Sequence, residues 1–117
     1  MAGTVNGIST HILDTSLGRP VGGVSVTLEQ SGASGWREIA VQSSDNDGRV
    51  KQMLPPGWQL QRGEYRLTFQ TRDYFDARGV QGLYPVVAVT FTVTETADHY
   101  HIPLLLAPNG YSTYRGS

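Results

Sequence analysis

The sequence predicts an all-β fold, an antiparallel β-sandwich formed by a single domain over residues 1–117. Three observations support this prediction. Short segments alternate apolar and polar residues, turn-forming residues recur about every eight to twelve positions, and only one short segment is a plausible helix. A chain of 117 residues is long enough to enclose one hydrophobic core.

The alternation indicates seven or eight short strands. In the first, Ile8 and Ile12 share the face expected to form the core, while Ser9 and His11 share the opposite face. Pro85 stands near the start of a later strand. Because proline has no N–H to donate to a sheet, that strand is expected at an edge. The expected strands are 8–14, 24–30, 36–43, 64–71, 84–93, 99–106 and 111–115, and the short helix is 72–79.

Composition excludes several classes of protein. A net charge of −1 without a basic stripe argues against nucleic-acid binding. The absence of cysteine excludes disulfides, thiol nucleophiles and zinc sites made of cysteine. The first residues lack the pattern of a secretory signal, and no apolar stretch is long enough to span a bilayer. We therefore expect a cytoplasmic protein with no membrane partner.

The segment "DNDGR", residues 45–49, predicts a tight turn that presents Arg49 directly after Gly48. Eight of the nine basic residues are arginine. The planar guanidinium group suits bidentate recognition of carboxylates or imides better than an ammonium group does. Arg49 is therefore a candidate ligand-binding residue.

The three histidines, His11, His99 and His101, all fall in predicted strands. His99 and His101 are two positions apart, so they share one face of their strand. His11 lies opposite the apolar face of the first strand and is expected to point outward. Outward histidines are often polar residues that simply face water, so a function for them needs further support.

Two functional hypotheses fit these histidines. One is a zinc site on all three, with Asp14 or Asp98 hydrogen-bonded to the ligands. The other is metal-free hydrolysis of a ring amide, in which imidazole activates water and a cation stabilises the developing oxyanion. The sequence contains no motif for a nucleophilic serine, so direct attack by water is the simpler form of the second hypothesis.

Four segments occur in order along the chain: "HILD", "DGR", "HYHIPLLL" and the last four residues, "YRGS". Together they resemble the 5-hydroxyisourate hydrolases, the transthyretin-like enzymes of urate degradation. The resemblance implies a transthyretin-type sandwich of two four-stranded sheets with one short helix. It also implies a homotetramer, a dimer of dimers, whose active sites lie at the interface between the dimers. A partner subunit would then cover the outward histidines.

The resemblance also implies the reaction and its catalytic residues. The reaction opens the six-membered ring of 5-hydroxyisourate to give 2-oxo-4-hydroxy-4-carboxy-5-ureidoimidazoline, with no metal and no cofactor. Arg49 would polarise the substrate and His101 would activate water. His11 would orient water or protonate the leaving nitrogen, and the roles of the two histidines are interchangeable at this stage. Ser117 would orient a histidine through its hydroxyl or terminal carboxylate, and we expect it to be the natural last residue.

The same resemblance implies a substrate-binding set. His11 and Arg49 belong to it as well as to the catalytic set, and His99, Tyr114 and Arg115 complete it. For Arg115, a structural role in holding the terminal segment carries equal weight. Transthyretin carriers share the fold, but they replace both histidines and lack "YRGS", so the resemblance favours the enzyme over the hormone carrier.

Overall fold

The computed structural model describes residues 6–117, which form nine strands and one helix. The helix begins at Thr71 and ends at Ala77. The elements in chain order are β1 (Gly7–Asp14), β2 (Arg19–Pro20), β3 (Ser25–Gly32), β4 (Gly35–Ser43), β5 (Arg49–Val50), β6 (Gly63–Phe69), α1 (Thr71–Ala77), β7 (Val87–Val93), β8 (His99–Ala107) and β9 (Gly110–Thr113).

The strands form two sheets that enclose one core. The first sheet has the order β2-β1-β8-β9, and β5 also pairs with β1. The second sheet has the order β4-β3-β6-β7. This architecture confirms the predicted transthyretin-type β-sandwich with one short helix. The first sheet has five strands rather than four because β2 and β5 pair with β1 over two residues each, which is too short to produce an alternating pattern.

One strand pairing differs from the purely antiparallel arrangement that the sequence predicted. β1 and β8 run parallel along all eight residues of β1, and every other pair is antiparallel. Parallel neighbours need a long connection, and here the chain passes through the whole second sheet between them. This pairing positions the histidines, as shown below.

Two element boundaries also differ from the prediction. β7 begins only at Val87, because Pro85 lies before the strand and its carbonyl accepts a hydrogen bond from the N–H of Arg72. β7 is an edge strand, as expected. The helix ends two residues early, and Gly79 follows with φ of 68°. Within residues 6–117, no helix is long and apolar enough to cross a membrane.

The core lies between the sheets and confirms the predicted faces. Ile8 and Ile12 of β1 are fully buried, and so are the inward residues of β6. Each apolar side chain of this size contributes about 1.5–3 kcal/mol when it is fully buried. The largest fully buried side chains are Tyr65, Phe69, Phe75, Ile8, Ile12, Leu28, Met53, Leu67, Leu104 and Leu106.

A polar cluster at the end of β1 fixes the helix to the first sheet. The carboxylate of Asp14 is fully buried and accepts hydrogen bonds from the Tyr74 hydroxyl at 2.6 Å and the Arg78 guanidinium at 2.8 Å. It also accepts bonds from the hydroxyl and N–H of Ser16 and the N–H of Leu17. Asp14 therefore holds structure together, and its suggested place behind a metal ligand is wrong.

Candidate active site

The parallel pairing of β1 with β8 brings Ser9 beside His99 and His101 in one pocket on the outer face of the first sheet. Ser9 lies opposite His101 and Gly7 lies opposite His99 in the register of the two strands. The pocket has a volume of about 230 Å³. Its lining residues are Ser9, Thr10, Arg49, Val50, Lys51, His99, His101 and Ser117.

The turn before β5 places Arg49 beside this pocket, as the sequence predicted. The carboxylate of Asp45 accepts the N–H groups of Asp47 and Arg49, each at 2.9 Å. Gly48 adopts φ of 78°, and its carbonyl accepts the N–H of Ile12 at 2.7 Å. A side chain at Gly48 would collide with the carbonyl of Ile12. The glycine therefore lets the turn approach β1 closely enough to present Arg49.

His101 is oriented by Ser9. The Ser9 hydroxyl lies 2.7 Å from Nδ1 of His101 and 2.7 Å from Nε2 of His99. Burial lowers the pKa of His101, and the nearby charges of Arg49, His11 and His99 lower it further. His101 is therefore neutral at pH 7, and its other nitrogen, Nε2, remains for a molecule in the pocket. A neutral imidazole is the form that can accept a proton from water.

His11 lies beside this pocket rather than in its lining. It pairs with Arg49 in the register of β1 and β5, and its Nε2 lies 2.8 Å from the carbonyl oxygen of Asp47. Because a carbonyl can only accept, Nε2 carries the proton in this contact. In the neutral ring Nδ1 is then an acceptor. When His11 is protonated, its charge contributes to lowering the pKa of His101, so the two rings are near neighbours.

The terminal segment forms one wall of the pocket. The N–H of Gly116 donates to the carbonyl of His101 at 2.8 Å, and the two residues form an isolated β-bridge. A Cβ atom on Gly116 would lie 2.5 Å from Cδ2 of His101 and 3.3 Å from the ring of Pro103. Glycine is thus needed for the segment to pack on the imidazole, and this packing brings Ser117 to the pocket.

Tyr114 and Arg115 are absent from the lining of this pocket. Both line a groove beside β7, and Tyr114 is 55% exposed. Arg115 also lines a neighbouring cavity that it shares with His99 and Ser117. The Arg115 guanidinium lies 4.3 Å from the ring of Tyr100 and 3.6 Å from the carboxylate of Asp98. These contacts fit the structural alternative for Arg115. The substrate-binding roles of Tyr114 and Arg115 stay predictions.

The donors of the three histidines are not arranged as a metal centre. Ser9 stands between His99 and His101, and His11 is bound to a backbone carbonyl. Over residues 6–117, no group of three or more His, Cys, Asp or Glu side chains is placed to hold a metal ion.

Sequence reasoning missed three polar residues of the pocket, Ser9, Thr10 and Lys51, although the Thr10 hydroxyl is used in a bond to the carbonyl of Ile102. The spacing of two residues placed Ser9 on the same face as His11, and this was the only signal for Ser9. Nothing in the sequence indicated a role for its hydroxyl. Lys51 follows β5 and adds a second exposed cation to the lining. The pocket therefore combines a neutral base with cations, a combination suited to an electron-rich, planar ligand whose negative charge increases during reaction.

Comparisons with known proteins identify the family of this chain. Residues 8–116 match the HIUase/Transthyretin family, and the chain belongs to that family. A 5-hydroxyisourate hydrolase from Salmonella typhi is 42% identical over 117 residues, which cover 100% of this chain and 85% of the relative. The structure of Klebsiella pneumoniae 5-hydroxyisourate hydrolase is similar with a TM-score of 0.84 and 36% identity, covering 97% of this chain and 100% of that one.

A sea bream transthyretin, solved in complex with thyroxine, has the same fold. Its TM-score is 0.86 at 32% identity, with 93% of each chain covered. Overall backbone similarity therefore does not distinguish an enzyme from a carrier within this family, and the distinction depends on the side chains of the pocket.

Proposed function

We propose that this chain is an enzyme that hydrolyses 5-hydroxyisourate in urate degradation and opens its six-membered ring to give 2-oxo-4-hydroxy-4-carboxy-5-ureidoimidazoline. The observation that carries the proposal is the convergence of His101, Arg49 and Ser117 on one pocket in a member of this family. Relatives named for the same reaction, at 42% identity over the full chain, support it.

Arg49 binds and polarises the substrate. Its guanidinium is exposed beside the pocket, and its fork of N–H donors matches the imide edge of a flat heterocycle. As water attacks the ring carbonyl, negative charge develops on the oxygen. Arg49 and Lys51 together provide the positive charge that stabilises it.

His101 activates the attacking water. Its lowered pKa favours the neutral ring at neutral pH, and Ser9 holds the ring by Nδ1. His11 protonates the leaving nitrogen or orients water in this proposal, because it pairs with Arg49 in the register of β1 and β5. Positioned acid–base groups each contribute about 10²–10⁴ to the rate.

The terminal segment completes the site. Gly116 fixes one side of the His101 ring, and Ser117 brings its polar groups into the lining. His99 lies at the other side of Ser9 and also borders a second cavity with Asp98. We place Tyr114 and Arg115 in substrate binding only in the assembled protein, since in the single chain they face the groove beside β7.

We further propose that the whole chain, 1–117, is one cytoplasmic domain that acts as a homotetramer, a dimer of dimers, with the pocket at the interface between dimers. Leu13 and Leu105 support this assembly. They are register partners on the outward face, two residues from His11 and four from His101, and are only half-buried. An apolar pair beside a polar pocket on an outer sheet face suits coverage by another subunit.

The test is an absorbance assay. Urate oxidase generates 5-hydroxyisourate in situ from urate, and its decay is followed with and without the protein, with no tag after Ser117. We expect strong acceleration over the spontaneous decay, and loss of that acceleration when residues 114–117 are deleted. Binding of the compound without acceleration would instead indicate a carrier, and would refute the proposal.

A further inference from the structure

The hydroxyl of Ser9 joins two histidines of the pocket in one hydrogen-bonded chain. It lies 2.7 Å from Nε2 of His99 and 2.7 Å from Nδ1 of His101. Ser9 is only 7% exposed, although it lies on the outward face of β1. The parallel register that sets Ser9 opposite His101 fixes this geometry through the backbone.

A serine hydroxyl has one hydrogen, so it donates to one ring and accepts from the other. If it donates to His101, Nδ1 of that ring is the acceptor and Nε2 carries the proton. If it donates to His99, Nδ1 of His101 carries the proton and Nε2 has a free lone pair. Only the second arrangement leaves His101 able to take a proton from water in the pocket.

We propose that Ser9 is a positioning residue that holds His101 in its Nδ1–H form and relays the proton taken from water to His99. This inference rests on the hydrolase function proposed above. It adds to that function a residue that none of the sequence motifs singled out, and it gives His99 a defined role as the end of the relay.

The relay balances. The oxygen of water bonds to the ring carbonyl carbon as one of its protons moves to Nε2 of His101. The Nδ1 proton of His101 moves to Ser9, and the hydroxyl proton of Ser9 moves to Nε2 of His99. His101 then carries a proton only on Nε2 and donates it to the leaving nitrogen as the carbon–nitrogen bond breaks. In the same step the proton on His99 returns through Ser9 to Nδ1 of His101, so the ring stays neutral and the starting state is restored.

Charge explains why a relay is favourable here. His101 is faced by Arg49 from β5, His11 from β1 and His99 from its own strand, and Lys51 and Ser117 also line the pocket. A positive charge held on His101 would be repelled by the arginine. Transfer to His99 moves that charge away from Arg49, to a residue that also lines a neighbouring cavity of about 470 Å³. That cavity contains the paired charges of Asp98 and Arg115.

The experiment compares Ser9→Ala with Ser9→Thr, which restores a hydroxyl, and with Ser44→Ala. Ser44 is a matched control because its hydroxyl is also buried, donates to the carbonyl of Val21 and accepts from Val24 away from the pocket. We expect Ser9→Ala to lower kcat about 10²-fold with KM little changed. Ser9→Thr restores most of kcat, and Ser44→Ala leaves kcat unchanged.

A second readout needs no substrate and therefore separates this inference from the proposed function. Ring ¹⁵N shifts report the tautomer of His101, which we expect to be Nδ1–H in the wild type and Nε2–H in Ser9→Ala. His99→Gln keeps a hydrogen-bonding side chain but removes the proton acceptor, so kcat should fall while the His101 tautomer is retained.

An unchanged tautomer and unchanged kcat in Ser9→Ala would overturn the inference, even with an active wild-type enzyme. An inactive wild type with the expected tautomer change would refute the hydrolase function instead, and with it the relay, while leaving Ser9 as the group that orients His101.

Discussion

Two polar clusters lie along β1 and differ in how fully their groups are hydrogen-bonded. At the end of the strand, the Asp14 carboxylate is fully buried and accepts bonds from Ser16, Leu17, Tyr74 and Arg78. Near its start, the histidine pocket stays open, with Arg49 exposed beside it.

This difference distinguishes polar groups that stabilise the fold from polar groups that remain available to a ligand. The Asp14 cluster uses its acceptors internally and has nothing left for a ligand. In the pocket, Ser9 and Gly116 fix His101, but Nε2 of that ring remains for a reactant. A positioned acid–base group requires partners within the protein on one side of its ring and an open pocket on the other.

The largest effect is expected from replacing His101, the proposed general base of the histidine pocket. His101→Asn keeps a polar side chain of similar size but removes the nitrogen that accepts a proton. We expect kcat/KM for 5-hydroxyisourate to fall about 10²–10⁴-fold. Thermal unfolding and oligomeric state should match the wild type, and normal turnover by this variant would refute the assignment of His101.

Disrupting the Asp14 cluster should have the opposite effect, a loss of stability with little loss of activity. Asp14→Ala leaves Arg78 and Tyr74 without their buried partner, so we expect the free energy of unfolding to fall by about 3 kcal/mol. Urea unfolding followed by circular dichroism measures this loss. The activity of the remaining folded protein should be close to that of the wild type, and a large loss of kcat without loss of stability would contradict the structural role.

The same cluster has a defined pH dependence. Burial alone would raise the pKa of Asp14, but hydrogen bonds from Ser16, Tyr74 and Leu17 outweigh it and lower that pKa below 3.8. A carboxyl group with a lowered folded-state pKa stabilises the fold above its unfolded-state value and loses that contribution as the pH falls through the folded one. The stability difference between wild type and Asp14→Ala should therefore persist at pH 5 and shrink in stronger acid.

The contact between Gly116 and His101 tests how tightly the terminal segment defines the pocket. In Gly116→Ala, the new Cβ would lie 2.5 Å from the imidazole, so the ring or the segment must shift. A displacement of roughly 1 Å at a catalytic group lowers the rate by up to about 10²-fold. We expect such a loss with little change in stability, whereas Gly110→Ala, where nothing lies within 4 Å, serves as the control.

The smallest effect concerns the pH profile. Because the pKa of His101 lies below 6.5, kcat/KM of the wild type should remain high until the pH falls below that value. Arg49→Gln removes a charge that lowers this pKa, so the acidic limb should move to higher pH while activity falls roughly 10–100-fold. Arg62→Gln, an exposed arginine paired with Glu95, is the control and should leave the limb in place.

Much of the fold was predictable because burial of alternate residues imposes a period of two on each long strand. Ile8 and Ile12 show that period and are fully buried. The pairing of β2 with β1 and of β5 with β1 was not predictable, because a strand of two residues is too short to show an alternating pattern. The parallel partnership of β1 with β8 depends on contacts between residues about ninety positions apart, as between Ser9 and His99, which local patterns do not encode.

The residue types of the site were predictable from the sequence, but the pocket or groove that each residue lines was not. The motifs identified His101 and Arg49, and the pocket brings both together. Beyond β9 the chain leaves the regular alternation, so the sequence did not indicate that Tyr114 lines the groove beside β7 while Ser117 lines the histidine pocket. Ser9 was missed because a serine on an outward strand face is common, and only its distances to two histidines distinguish it.

The most direct test of the central claim is a crystal structure with a flat, non-hydrolysable imide analogue of 5-hydroxyisourate. We predict that the imide edge of the analogue lies against the guanidinium of Arg49. We also predict that a water bound to Nε2 of His101 lies about 3–3.5 Å from the carbonyl carbon that would be attacked. An analogue bound instead in the groove beside β7, away from both Arg49 and His101, would contradict the assignment of the site.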